Sequence, residues 1–101
     1  MKFGLSDSTI DKLQEVFRRY DEVDEVIIYG SRAKGNFRNG SDIDITVKGN
    51  RISRKIMSSI WQDIEDLNFP YKVDLSDFQV LNTPDLSDHI ERVGKVFYRK
   101  I

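Results

Sequence analysis

Apolar and polar positions follow two different periods along this chain, and the switches between them mark out its elements. Ser6-Asp7-Ser8-Thr9 supplies helix N-cap residues. Beyond it Ile10, Leu13, Phe17 and Tyr20 recur at helical spacing, with Asp11, Lys12, Gln14 and Arg18 on the other faces, which predicts an amphipathic helix ending near Asp21. An acidic connection, Asp21 to Glu25, leads into Val26-Ile27-Ile28-Tyr29, a short apolar run that reads as a buried strand. Gly30-Ser31 begins a tight turn and a short helical turn through Lys34. Asn39-Gly40 is a turn dipeptide, and Ser41 to Val47 then alternates strictly, as a half-buried strand does. Lys48-Gly49-Asn50 ends that strand. A second helix is expected from Ser53 to about Leu67, with Ile56, Met57, Ile60, Trp61, Ile64 and Leu67 as its apolar face and Asn68-Phe69-Pro70 as its break. Trp61 and Met57, on that stripe, are expected in the core. Tyr71 to Leu75 alternates again. Thr83-Pro84-Asp85 starts a last helix through Leu86, Ile90 and Val93, with Gly94 as its stop. Val96-Phe97-Tyr98 reads as a short edge strand in preference to one more helical turn.

This order predicts an α+β fold: a small mixed β-sheet with helices packed on one face. At 101 residues the chain has room for a single domain, residues 1–101, around one core. Strand side chains alternate, so Asp42, Asp44 and Thr46 share one face while Ile43, Ile45 and Val47 turn to the core. By the same rule Asp74 points away from Tyr71, Val73 and Leu75, on the side of Lys72. The expected result is an open sheet face, opposite the helices, that carries three carboxylates.

Composition then narrows the chemistry. The chain has no cysteine, which excludes disulfides, thiolate metal sites and a cysteine nucleophile and fits a reducing, cytoplasmic setting. His89 is the only histidine, so a His-based zinc site or a serine–histidine triad has almost nothing to use. A formal net charge of -1 gives no global positive field and argues against direct nucleic-acid binding. No apolar run approaches membrane-spanning length, and the first residues carry no signal-peptide pattern.

Neighbouring carboxylates repel, and a cation between them relieves the repulsion. Oxygen-only donors suit a hard ion, magnesium or manganese. Two such ions could be shared by Asp42 and Asp44, with Asp74 completing one site and able to take the proton of an attacking hydroxyl. Gly30 lets backbone approach a phosphate, and Ser31 can donate to it. Arg32, Lys34 and Arg38 lie in a stretch without acidic residues and could neutralise a triphosphate. Each also has a plainer use. Gly30 could be only a turn, Ser31 only a cap, the three cations solvated loop charges and Lys72 a local partner of Asp74. His89, beside the apolar stripe of its helix, reads as a boundary residue.

Gly30-Ser31, ten residues and then Asp42-Ile43-Asp44 resembles the signature of the polymerase-β-type nucleotidyltransferases. The fuller string GSRAKGNFRNGSDIDI resembles the minimal nucleotidyltransferase (MNT) domain family. Asp74, in KVDL, sits where that family carries its third carboxylate, and the closing IERVGKVFY resembles its usual ending. Lys34 stands where many members have arginine, which keeps the charge and loses bidentate geometry.

The resemblance implies the polymerase-beta-like nucleotidyltransferase fold. It implies magnesium-dependent transfer of a nucleoside monophosphate, AMP from ATP in the first instance, to a hydroxyl, with release of pyrophosphate. Asp42, Asp44 and Asp74 would then hold the metals, Asp74 would act as base, and Gly30 and Ser31 would hold the β,γ-phosphates. It further implies a separate helical HEPN-type partner, a toxin whose tyrosine is AMPylated, with this chain as the antitoxin of the pair. Two other readings stand beside it: a module that keeps the fold and blocks a toxin by contact alone, and the catalytic subunit of a two-component small-molecule enzyme similar to the aminoglycoside nucleotidyltransferases. Homo- and hetero-oligomers are both compatible with the sequence.

Overall fold

Four strands form one mixed sheet in the order β3-β2-β1-β4. The computed structural model describes residues 2–101. In chain order the elements are α1 (Asp7–Arg18), β1 (Glu25–Tyr29), α2 (Ser31–Lys34), β2 (Ile43–Lys48), α3 (Arg54–Glu65), β3 (Val73–Asp77), α4 (Pro84–Val93) and β4 (Lys95–Arg99). A 3-10 turn, Phe78–Val80, follows β3 directly. The helix starts obey their local chemistry. The hydroxyls of Ser6 and Ser53 accept from the N–H groups of Thr9 and Ile56, and Pro84 occupies the first turn of α4. No helix is long and apolar enough to cross a membrane among the described residues.

β1 pairs antiparallel with both β2 and β4, whereas β2 and β3 run parallel and are joined through α3. Parallel pairing demands such a crossover, and the helical periodicity of residues 54–65 provides it. The main core lies between one sheet face and the pair α1 and α3. Leu13, Val16 and Phe17 of α1 and Ile60 and Ile64 of α3 cover Val26, Ile28, Ile43, Ile45 and Val47. Tyr20, two residues past the end of α1, ties that end to α3 by donating its hydroxyl to Asp63 at 2.5 Å. The C-terminal segment is the expected strand, with Phe97 buried beneath it.

Three features depart from expectation. First, the opposite sheet face is open only in part. α4 lies on it, and Ile27, Tyr29 and Ile90 form a second buried cluster with Phe78, Leu81 and Leu86. Thr46, expected on the open face, is fully buried. The cause is the unbroken apolar run of β1, which presents large side chains on both faces and needs a cover on each. Second, Trp61 is not core: half of its surface is exposed. Ile60 and Ile64 take the positions against the sheet. Trp61, one residue round the helix, borders a cavity of about 300 Å³ with Phe69, Tyr71 and Val73. Met57 is half-buried. Third, β2 starts at Ile43 and β3 at Val73, so Asp42, Tyr71 and Lys72 stand just ahead of the ladder.

Candidate active site

Strand register sets the centre of the site. Tyr29, Asp44 and Asp74 are successive partners across β1, β2 and β3, and alternation puts their side chains on the same face. The rung is anchored one residue earlier, where the Ile43 N–H donates to the Lys72 carbonyl at 2.9 Å. Asp44 is half-buried; Asp42 and Asp74 are exposed on either side of it. The Asp44 carboxyl is pushed above the usual carboxylate range, first by burial and then by the charges of Asp74 and Asp42, with Arg32 and Lys72 pulling the other way. The charges of Asp42 and Asp74 thus act on Asp44, the repulsion expected between neighbouring carboxylates. Among the described residues they are not gathered into a ready-made ligand group. The donor set is nevertheless of the right kind for a hard divalent ion: carboxylate oxygens alone, with surplus negative charge accumulated at Asp44.

Gly30 stands directly against this carboxylate. Its backbone adopts φ 73° and ψ -154°, a conformation that only glycine reaches without strain. A Cβ at this position would collide with Asp44 Oδ2. Absence of a side chain therefore both turns the chain out of β1 and lets the Asp44 carboxylate lie on the backbone. Ser31, partly exposed, follows as the first residue of α2.

The three cations separate. Arg32 is only 2 % exposed. Its Nε and one terminal nitrogen donate to the Ser41 carbonyl at 3.1 and 2.8 Å, and the other terminal nitrogen donates to the Phe3 carbonyl at 2.8 Å. The guanidinium also lies over the rings of Phe37 and Tyr71, 5.4 and 5.0 Å from their centroids. In this arrangement Arg32 fastens the loop between α2 and β2 to the N-terminal segment, and its charge reaches Asp44 through space. Lys34 and Arg38 are exposed on that loop, and the Arg38 N–H donates to the Ser41 hydroxyl. Gly30, Asp44 and Asp74 are therefore together, Ser31 and Asp42 flank them, Arg32 is turned inward, and Lys34 and Arg38 face solvent.

Tyr29 is the residue that sequence reasoning assigns to the core and the structure also places at the site. It is 8 % exposed, and its ring meets the His89 ring of α4 edge-on, with centroids 6.4 Å apart. Only its register with Asp44 reveals that position, and register is not readable from one strand alone.

A sequence model of the family described as "Polymerase beta, Nucleotidyltransferase" matches residues 11–100. Comparison with proteins of curated function finds no match. Among solved structures, a chain of a toxin–antitoxin complex with AMP-PNP superposes with a TM-score of 0.72 at 20% identity, over 90% of this chain and 73% of that one. A chain of the MntA–HepT toxin–antitoxin complex gives 0.67 at 17% identity, over 94% and 74%. A chain of the complex of tri-AMPylated HEPN toxin with MNT antitoxin from Shewanella oneidensis gives 0.67 at 17% identity, over 95% and 74%. At these identities the likeness to the solved structures is one of fold. The family match spans nearly the whole chain and includes every residue of the Gly30-to-Asp74 site, and the chain therefore belongs to the polymerase beta nucleotidyltransferase family.

Proposed function

We propose that this domain transfers AMP from ATP to a tyrosine hydroxyl of a helical HEPN-type toxin, in a magnesium-dependent reaction that makes it the antitoxin of the pair. The observation that carries this reading is the rung itself: Asp44 and Asp74 are partners across β2 and β3, and the Asp44 carboxylate rests on the Gly30 backbone. Phosphate-binding backbone and charge-bearing carboxylates thereby meet at one point. The fold shared with chains of an AMP-PNP-bound toxin–antitoxin complex and of an MNT antitoxin complex with an AMPylated HEPN toxin supports the choice of nucleotide and acceptor.

In this reading Gly30 and Ser31 hold the β,γ-phosphates, and the exposed Lys34 and Arg38 meet their outer charge. Asp42, Asp44 and Asp74 would hold magnesium, which when bound offsets charge on the phosphates and the leaving group. Asp74, exposed on the edge strand, accepts the proton of the acceptor hydroxyl. The freed oxygen bonds to the α-phosphorus while the bond from that phosphorus to its bridging oxygen breaks, and pyrophosphate leaves. Arg32 keeps the loop between α2 and β2 in place.

The test is mass spectrometry of the helical partner after incubation with this chain, ATP and magnesium. A gain of one or more AMP units, absent with Asp44→Ala, is the expected result. No gain, with a stable complex between the two proteins, would replace catalysis by neutralisation through contact. No gain and no complex would remove the partner from the reading.

A further inference from the structure

The two edges of the sheet are unlike. β4 carries exposed Lys95 and Arg99, with Lys100 just beyond, charges of one sign that keep other strands off an edge. The exposed charges at β3 are one of each sign: Lys72 just ahead of the ladder and Asp74 within it. Among the described residues neither forms an ion pair within the chain. The Ile43 N–H reaches the Lys72 carbonyl, so in this parallel ladder the backbone groups of Lys72, Asp74 and Ser76 point toward β2, and those of Val73 and Leu75 point away from it. Among the described residues no strand pairs with that outer side. Apolar surface adjoins it next to α3. Val73 borders the cavity of about 300 Å³ with half-exposed Trp61, and Leu75 borders another of about 600 Å³ with Met57 and the largely exposed Val80.

We propose that this edge takes a second copy of the chain: β3 pairs antiparallel with β3 of the other copy about a two-fold axis at Val73, joining the two sheets into one. The charge pattern selects this register. Pairing about Val73 sets Asp74 of each copy opposite Lys72 of the other, two opposite-charge pairs on one face. An axis at Asp74 or at Lys72 would set like charges opposite each other. An axis at Leu75 or at Tyr71 would leave both charges unmatched. At Val73 the outward N–H and C=O of each copy meet their own counterparts, and Leu75 stands opposite Tyr71. A two-fold axis normal to the sheet keeps each face on its own side. Both α3 helices therefore lie on one side, and the apolar surfaces beside Trp61 and Met57 meet across the axis. A foreign strand would satisfy the backbone but has no reason to carry both counter-charges at this spacing. The pairing stands apart from the proposed function. Its consequence rests on that reading: an Asp74 that faces an ammonium is kept from a cation or an acceptor hydroxyl, so the pair is a resting form.

The test is sedimentation equilibrium of the whole chain across the micromolar range, with the emission of Trp61, its only tryptophan, read on the same samples. The expected result is a reversible monomer–dimer equilibrium, with emission moving to the blue as the dimer fills. Lys72→Asp and Asp74→Lys each set like charges opposite at two symmetric places, and each should weaken the dimer at least about tenfold. The double variant exchanges the two signs and should restore it. Both positions are exposed, and circular dichroism checks that each variant is folded. A wild-type chain that stays monomeric throughout would overturn the inference. A dimer indifferent to the single reversals, one that the double variant fails to restore, or one with unchanged Trp61 emission would place the contact elsewhere and overturn it as well. Magnesium with a non-hydrolysable ATP analogue should shift the wild type toward monomer. A dimer unmoved by them would overturn the resting form while the pairing stands.

Discussion

Asp44 holds its proton more tightly in the folded chain than an ordinary aspartate does, because it is half-buried between two like charges. Between the ordinary carboxylate value, about 3.9, and the raised one, the folded state carries more protons than the unfolded state, so stability falls as pH rises through that window. The penalty is complete above the window and absent below it. Asp44→Asn removes it. In chelator-containing buffer the variant should melt above the wild type at pH 7, and the two curves should converge as the pH is taken below about 3.9. Arg32 makes the opposite case. Its removal leaves the Phe3 and Ser41 carbonyls without their donor and empties a slot between Phe37 and Tyr71. Arg32→Ala should cost at least about 2 kcal/mol in urea unfolding, and Arg32→Lys should recover less than half, because an ammonium lacks the fork that spans both carbonyls. The motif residues Gly30, Asp44 and Asp74 were legible because local rules fix them: a strand ends, a glycine follows, and alternation sets the face. Arg32 was not, since its burial depends on Phe3, Phe37 and Tyr71, three separate segments that only the tertiary fold brings around it.

Elements were legible wherever one period ran cleanly. α1 and α3 start at the serines that cap them, α4 starts with Pro84 in its first turn, and the alternation of β2 and β3 gives the correct face for Ile43, Ile45, Val47, Val73 and Leu75. What periodicity cannot supply is the side of the sheet on which an amphipathic helix lies. Leu86 and Ile90 declare a stripe on α4, but the stripe would suit either face; the run Val26 to Tyr29, apolar at every position, held the information that both faces needed a cover. α3 shows the same limit at finer grain. Its apolar stripe is broader than the strip of sheet beneath it, so Ile60 is buried and its neighbour Trp61 is half-exposed. Ile60→Ala should accordingly cost about 2–5 kcal/mol, whereas Trp61→Ala should cost about 1 kcal/mol despite the larger side chain, a reversal that denaturant titration of the two variants would measure.

For the molecule as a whole, β1 is the strand on which everything closes. It pairs on both sides, contributes to both apolar clusters and delivers Tyr29 and Gly30 to the site. β4 protects its second edge and brings Phe97 into the core. A chain ending before Lys95 should therefore lose its cooperative thermal transition in far-UV circular dichroism, rather than melt a few degrees lower. The antiparallel and parallel halves of the sheet also differ in how the chain can reach them. β1 and β2 are joined by the single turn of α2 and one loop and can zip together locally, so Gly30 and Asp44 find each other across a short closure. Asp74 arrives only when the crossover through α3 docks β3, the pairing of greater sequence separation and slower formation. Folding kinetics should register that order, with mutations at Ile45 slowing folding and mutations at Leu75 chiefly speeding unfolding. The third carboxylate would then be the last piece of the site to be installed during folding and the first to be released when the sheet begins to open.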